Sequence, residues 1–265
     1  MAQQKYTHGH HDSVLRSHRW RTVENSAAYL IPHLTDKSVL LDVGCGPGSI
    51  SVDLGRRVAG VVAFDSSGDA LEEGRKLAAA EGVGNVTFEV ADVYAMPYAD
   101  DSFDIVHAHQ VLQHLPDPVR ALREMRRVCR PGGIVAARDS DYSGFFWFPE
   151  LPELTQWQAL FQECSRANGG EPDAGRRMLS WARAAGFDEI EPSASVWCFA
   201  TPEDRAWWGG MWQDRILQSA MATQALSEGR ATREDLRRIS DGWRSWKGTE
   251  DGWFTVPHGE ILCRA

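Results

Sequence analysis

Three acids and three glycines are spaced so that they could hold a ligand. Val39-Leu40-Leu41-Asp42-Val43 is an apolar, strand-type run that carries one acid. It breaks into Gly44-Cys45-Gly46-Pro47-Gly48-Ser49 before a helical pattern begins. Each glycine has a physical use: Gly44 permits a tight turn at positive φ, Gly46 leaves room where a ligand approaches the backbone, and Gly48 lets the next helix start close to the strand. Together with the unpartnered amides of a helix start, the turn makes a polar cradle at the strand's carboxyl end. A second apolar run, Val61-Val62-Ala63-Phe64-Asp65, ends in an acid seventeen residues after Gly48. A carboxylate there can accept both hydroxyls of a ribose, or it can cap the helix that opens at Ser66-Ser67-Gly68. A third run, Val86 to Val90, alternates and ends at Ala91-Asp92-Val93. A nicotinamide turn wants glycines at its first, third and sixth positions, and the sixth here is Ser49, which disfavours a reductase.

The Asp42 turn resembles motif I of the class I (Rossmann-like) S-adenosylmethionine-dependent methyltransferases. The acids at 65 and 92 stand where that family keeps its next two motifs. Ser102-Phe103-Asp104-Ile105-Val106-His107-Ala108-His109, followed by Val111-Leu112-Gln113-His114-Leu115-Pro116-Asp117-Pro118, resembles the fourth-strand motif of the ubiquinone/menaquinone-biosynthesis type of small-molecule methyltransferase. Arg130-Pro131-Gly132-Gly133-Ile134 resembles the family's turn into strand five. The likeness spans residues 38–139. It implies S-adenosyl-L-methionine as cofactor, leaving as S-adenosyl-L-homocysteine. Asp42, Gly44, Gly46 and Gly48 would surround it, with Asp65 and the neighbouring Ser66 at the ribose. Asp92 would face the adenine amine, the Val93 amide the ring, and His109 and Gln110 the methionine part.

The donor's methyl group sits on a sulfonium, and its transfer is an in-line displacement by a nucleophile with a lone pair. The protein then has mainly to align the atoms and exclude water. A general base is needed only for a weakly acidic acceptor such as a phenol or alcohol. His109, directly after strand four, is a candidate base, unless only its backbone serves. His114 is a candidate catalytic group or a local packing residue. Asp139, like Asp141, follows strand five, where it could orient an imidazole, bind an amine or cap the next segment. Near the amino terminus, Tyr6-Thr7-His8-Gly9-His10-His11-Asp12 holds three histidines and an acid. No second cluster completes a ligand shell, so no metal is expected. The segment reads either as a mobile tip or as a lid over the cofactor with Tyr6, His10, Trp20 and Asn25 in it.

These residues need a parallel sheet to bring them together. Strands expected at 38–43, 60–65, 86–91, 103–108 and 133–138 alternate with helices at 48–57, 68–82 and 117–129. A further helix is expected at 13–32 and another over 173–186, stopped by Gly186. Strands at 187–199 and 252–264 would close the sheet. The fold class is therefore α/β: a doubly wound, mostly parallel seven-stranded sheet with an antiparallel end, an amino-terminal helix and helical cap insertions. The domain reading is a lid over 1–35, a core over 36–201 and 249–265 with a cap segment at 140–172, and a helical cap at 202–248. Both cap segments are long and rich in tryptophan, of which the chain holds eleven. Trp147, Trp208 and Trp212, with Tyr6 and Trp20, are the expected substrate-pocket residues. The alternative is a subdomain core in which tryptophan supplies buried area.

Composition narrows the partners. A formal charge of -9, with no basic stripe, argues against nucleic acid. Five scattered cysteines without a Cys-x-x-Cys pair read as thiols of a reducing compartment. The polar start and the lack of a long apolar run predict neither secretion nor a membrane span, so a cytoplasmic location is expected. The expected partner is a small-molecule acceptor. A peptide or protein side chain, or binding of the cofactor without turnover, are the alternatives; oligomeric state is left open.

Overall fold

The computed structural model describes residues 20–265. Residues 20–140, 174–195 and 258–265 form one compact unit, which carries the sheet. Its strands are β1 (Val39–Val43), β2 (Gly60–Asp65), β3 (Val86–Val90), β4 (Phe103–His109) and β5 (Cys129–Ser140), joined by parts of β7 (Ile190–Phe199) and β8 (Trp253–Arg264). The order is β3-β2-β1-β4-β5-β8, with β7 also paired to β8. The pairs from β3 to β5 are all parallel, and β5 and β8 are antiparallel. Chain order reverses between β1 and β4, which opens a crevice at the strands' carboxyl ends, where sheets of this kind bind ligands.

Alternation along the strands sorts side chains to two faces. Leu41, Val43, Val106, Ala108, Val135 and Ala137 pack with Leu122 and Met125 of α4 (Pro118–Val128). Leu40, Ile105, Ile134 and Ala136 pack with Val52 of α2 (Ser49–Gly55) and with Val23 and Leu30. Helix α4 starts where Asp117 accepts from the Arg120 amide and Pro118 occupies the first turn. Its outward arginines are not idle: Arg123 donates to Ala184 O at the end of α6 (Met178–Ala184), and Arg126 donates to Gly186 O. These cations suit the negative end of a helix.

The expected helix at 13–32 is not continuous over its described part. A four-residue α1 (Val23–Ser26) and a 3-10 turn (Ala28–His33) are separated by Ala27, whose φ of -143° breaks the helical path. Thr22 is the N-cap that starts the first piece, Ala27 ends it, and Pro32 lies inside the second. Residues 1–19, most of the proposed lid and with it Tyr6 and His10, lie outside the described residues.

Residues 141–173 and 196–257 belong to a second compact unit. It contains a short strand unforeseen in the sequence, β6 (Phe146–Phe148), paired antiparallel with Trp253 to Thr255 of β8. Its helices are α5 (Pro152–Ala167), α7 (Pro202–Gln218), α8 (Ala220–Ser227) and α9 (Arg233–Gly248). Thr201 with Asp204 and Thr232 with Asp235 form capping boxes that start α7 and α9. The core is aromatic: the Trp157 ring meets Trp212 and Trp243 edge-on at 4.6 and 4.9 Å, and all three are buried. The Trp246 indole donates to Phe148 O at 3.1 Å, tying α9 to β6.

Candidate functional site

The first unit brings the glycine turn, Asp65 and the end of β4 to one end of its sheet. Gly44, Gly46 and Gly48 have φ of 64°, 55° and 74°, which L side chains resist. Two of them are also fixed by packing. A Cβ on Gly44 would stand 2.6 Å from Val111 Cγ2, and one on Gly48 would stand 2.6 Å from Phe88 Cε1. The Cys45 amide donates to Phe64 O and the Gly48 amide to Cys45 O, closing the turn against β2.

Asp65 is held from two sides. Its Oδ2 accepts from the Gly46 amide and its Oδ1 from the Ser67 amide, each at 2.9 Å. The helix-capping and ligand readings of this acid are therefore compatible, since a carboxylate has about four acceptor directions and two remain. The acid is half-buried and Ser66 beside it is exposed. Asp92 is exposed after β3 and accepts from the Tyr94 amide at 2.9 Å, while the neighbouring Val93 side chain is buried.

Asp42 does something else. It is 3 % exposed; Oδ2 accepts from Ser51 Oγ at 2.5 Å and Oδ1 pairs with His107 Nδ1 at 2.8 Å. Each oxygen has a partner within the protein, so Asp42 ties β1 to α2 and β4 and sets the turn from behind. His107 is fully buried, and this partnership was not foreseen from the sequence.

At the end of β4, Gln110 adopts φ 53°, a rare state for a residue with a side chain. Its amide bridges Arg21 Nη2 at 2.6 Å and His258 Nε2 at 2.9 Å, and its backbone N–H donates to Arg138 O at 2.7 Å. His109 is buried and stacks on His258 with ring centroids 6.2 Å apart. Burial, then the Arg21 and Arg138 guanidiniums, holds its imidazole well below the usual range. Burial, with Arg21, also pushes His114 down to about 3, and this ring pairs with the Gln113 amide at 3.3 Å. Both imidazoles are thus neutral at neutral pH and weakly basic: they suit hydrogen bonding better than proton storage. Asp139 is fully buried, and burial pushes it up to about 8 against the Gln113 and Leu112 amides that its two oxygens accept from. It fastens the loop after β4 to β5, a role for which its sequence position gave no signal. Arg21 and His258 were also missed, because they come from chain ends far from any motif.

The turn fits the adenosyl cofactor: it offers a backbone cradle with no side chain at Gly44, Gly46 and Gly48 and a fixed carboxylate with acceptor capacity at the adjacent strand end. Among the described residues no His/Cys/Asp/Glu group could hold a metal. No described helix is long and apolar enough to cross a membrane, and all five cysteines are free thiols.

The proposed pocket aromatics divide. Trp20 lies in this unit, its carbonyl accepting from Asn25 Nδ2 at 3.0 Å. Trp147, Trp208 and Trp212 lie in the second unit. Trp208 stacks on Phe199 at 4.3 Å and Trp212 belongs to the Trp157 cluster, both buried, so the two rings serve as core there. Trp147 is half-buried and stacked on Phe254 at 5.7 Å.

Comparison with known proteins bears on this geometry. A family model described as a methyltransferase domain matches residues 34–199. The chain is 34% identical over 272 residues to an uncharacterized methyltransferase of Schizosaccharomyces pombe, covering 98% of this chain and 96% of the relative. Among solved structures, the YcgJ protein of a Bacillus shares the fold with a TM-score of 0.61 at 17% identity, covering 89% of this chain and 97% of the other. A Haemonchus contortus phosphoethanolamine N-methyltransferase, solved with phosphomonomethylethanolamine and S-adenosylhomocysteine, superposes with a TM-score of 0.55 at 18% identity over 87% of this chain and 49% of that one.

Proposed function

The chain belongs to the methyltransferase-domain family and is an S-adenosylmethionine-dependent methyltransferase; from that premise we propose that its acceptor is a small, aromatic or apolar molecule, methylated by in-line displacement, as in enzymes of the ubiquinone/menaquinone-biosynthesis type. The observation that carries the placement of the reaction is the Asp65 carboxylate, fixed by the Gly46 and Ser67 amides with its remaining acceptor directions uncommitted to the fold. Asp65 holds the ribose, the Gly44 to Gly48 turn accommodates the backbone side of the cofactor, Asp92 and Val93 bound the adenine, and Gln110 with His109 borders the methionine end.

The cofactor supplies an activated methyl group on a sulfonium. The chain's own residues bind, orient and keep water away. His109 and His114, neutral and weakly basic, act by hydrogen bonding and orientation rather than by deprotonating an alcohol. Asp139 holds the loop that carries Gln110 and Gln113. This favours acceptors that already present a lone pair at neutral pH. Free thiols and the lack of a described membrane-crossing helix support a cytoplasmic site of action.

The test is transfer of labelled methyl from S-adenosylmethionine to a panel of small phenols, amines, carboxylates and carbon acids, with peptides and whole protein extracts in parallel. Label in one or more small molecules supports the reading. Label confined to polypeptide overturns it.

A further inference from the structure

Glycine turns accept positive φ without help, but Gln110, at φ 53°, must be held there. Its side-chain amide is fixed by chemistry at both ends. A guanidinium can only donate, so the atom 2.6 Å from Arg21 Nη2 is the Gln110 oxygen. The other end, Nε2, can only donate in its turn, and it faces His258 Nε2 at 2.9 Å. That nitrogen is therefore the unprotonated one, and His258 is a neutral imidazole with its proton on Nδ1. A charged His258 would set N–H against N–H. The ring has little freedom to do otherwise: it is 1 % exposed, sits opposite Ser140 in the β5–β8 register, and stacks on His109.

We propose that His258, acting through Gln110, is a positioning residue for the methionine end of S-adenosylmethionine. This rests on the reading that Gln110 borders the cofactor. Arg21 and His258 grip the two ends of one amide, and the Gln110 backbone N–H is anchored on Arg138 O. Together they hold the left-handed turn that presents this residue at the end of β4. The family resemblance implies Gln110 at the methionine end but not its holder, which comes from the last strand.

Calorimetric titration with S-adenosylhomocysteine tests this on wild type, Gln110→Ala, His258→Ala, the double variant and His258→Gln, each checked for folding by circular dichroism. Each single alanine should weaken binding about five- to tenfold, the worth of one hydrogen bond. The double variant should be no weaker than the worse single one, because the two residues act as a unit. His258→Gln should recover most of the affinity, since its amide oxygen can accept where Nε2 did. Wild-type affinity in His258→Ala alongside a weakened Gln110→Ala overturns the proposal, as do losses that add in the double variant. Wild-type affinity in Gln110→Ala overturns instead the placement of Gln110 beside the cofactor, and the proposal with it. Should His258→Ala not fold, His258→Gln and His258→Asn decide: affinity kept by the first and lost in the shorter second supports the role, and equal affinities overturn it.

Discussion

Replacing Gly48 by alanine should destabilise the sheet unit by an amount that the local geometry sets. Two costs add. A non-glycine residue at φ 74° pays about 1–2 kcal/mol for left-handed backbone. The new Cβ would also lie 2.6 and 2.9 Å from Phe88 Cε1 and Cζ and 3.2 Å from Gly74 Cα. The ring cannot retreat, because a Cβ on Gly74 of α3 (Gly68–Ala80) would meet the same Cε1 at 2.6 Å: Phe88 is wedged between two glycines. Overpacking of this kind costs about 1–3 kcal/mol. Alanine returns about 0.4–1 kcal/mol by stiffening the unfolded chain. The net loss is roughly 1–4.5 kcal/mol. The assay is equilibrium urea unfolding by far-UV circular dichroism, with hydrogen exchange of β1 to β3 amides to assign the loss to this unit. Gly82→Ala is the control, since its φ is 67° with nothing within 4 Å of a Cβ, and it carries only the backbone cost. Gly74→Ala isolates the clash at a helical position. If Gly48→Ala costs no more than Gly82→Ala, the wedge does not constrain this turn and the reasoning fails.

Other outcomes follow from the site and the cores. Asp65→Ala should weaken S-adenosylmethionine binding by roughly 1.5–3 kcal/mol in calorimetry, the scale of a hydrogen bond to a charged group; unchanged affinity in a folded variant removes the ribose assignment. His114, depressed to about 3 in the fold from an ordinary 6.5, takes up a proton more readily when unfolded, so its contribution is intact above about pH 6.5 and is lost as pH falls towards 3. His114→Gln should therefore flatten the acid limb of a stability-versus-pH series by up to about 1.4 kcal/mol per pH unit, and an unaltered limb contradicts the neutral ring. Trp157→Ala should cost about 3–5 kcal/mol in the helical unit, read from its unfolding transition, because the rings of Tyr142, Phe145, Trp212, Trp243 and Phe254 lose their central contact; a loss under about 1 kcal/mol would mean that the cluster repacks.

Strand and helix placement was legible where pattern and punctuation agree. The runs before Gly44, Asp65 and Asp92 became β1 to β3 nearly as expected, and Gly186, at φ 96°, ends the helical stretch that includes α6. The amino-terminal helix was misjudged because apolar spacing does not reveal a cap at Thr22 or the break at Ala27. β6 escaped because three aromatic residues in a row carry no alternation to read, and its partner lies about a hundred positions away. For the site, the types and order of the acids were readable, but their aim was not. Asp42 and Asp65 look alike in sequence; one is engaged by Ser51 and His107, the other by two backbone amides. The grip of Arg21 and His258 on Gln110 joins residues separated by 89 and 148 positions, and no local pattern encodes it. Trp208 and Trp212 could be read from the sequence as pocket wall or as core; both rings are buried, and their spacing does not distinguish the two.

A crystal structure with S-adenosylhomocysteine measures where the cofactor lies. The expected result places both ribose hydroxyls within hydrogen-bond distance of Asp65, the adenine beside Asp92 and Val93, and the homocysteine sulfur near Gln110, with Asp42 still bonded to Ser51 and His107. A ligand bound elsewhere, or a ribose that leaves Asp65 untouched, would contradict it.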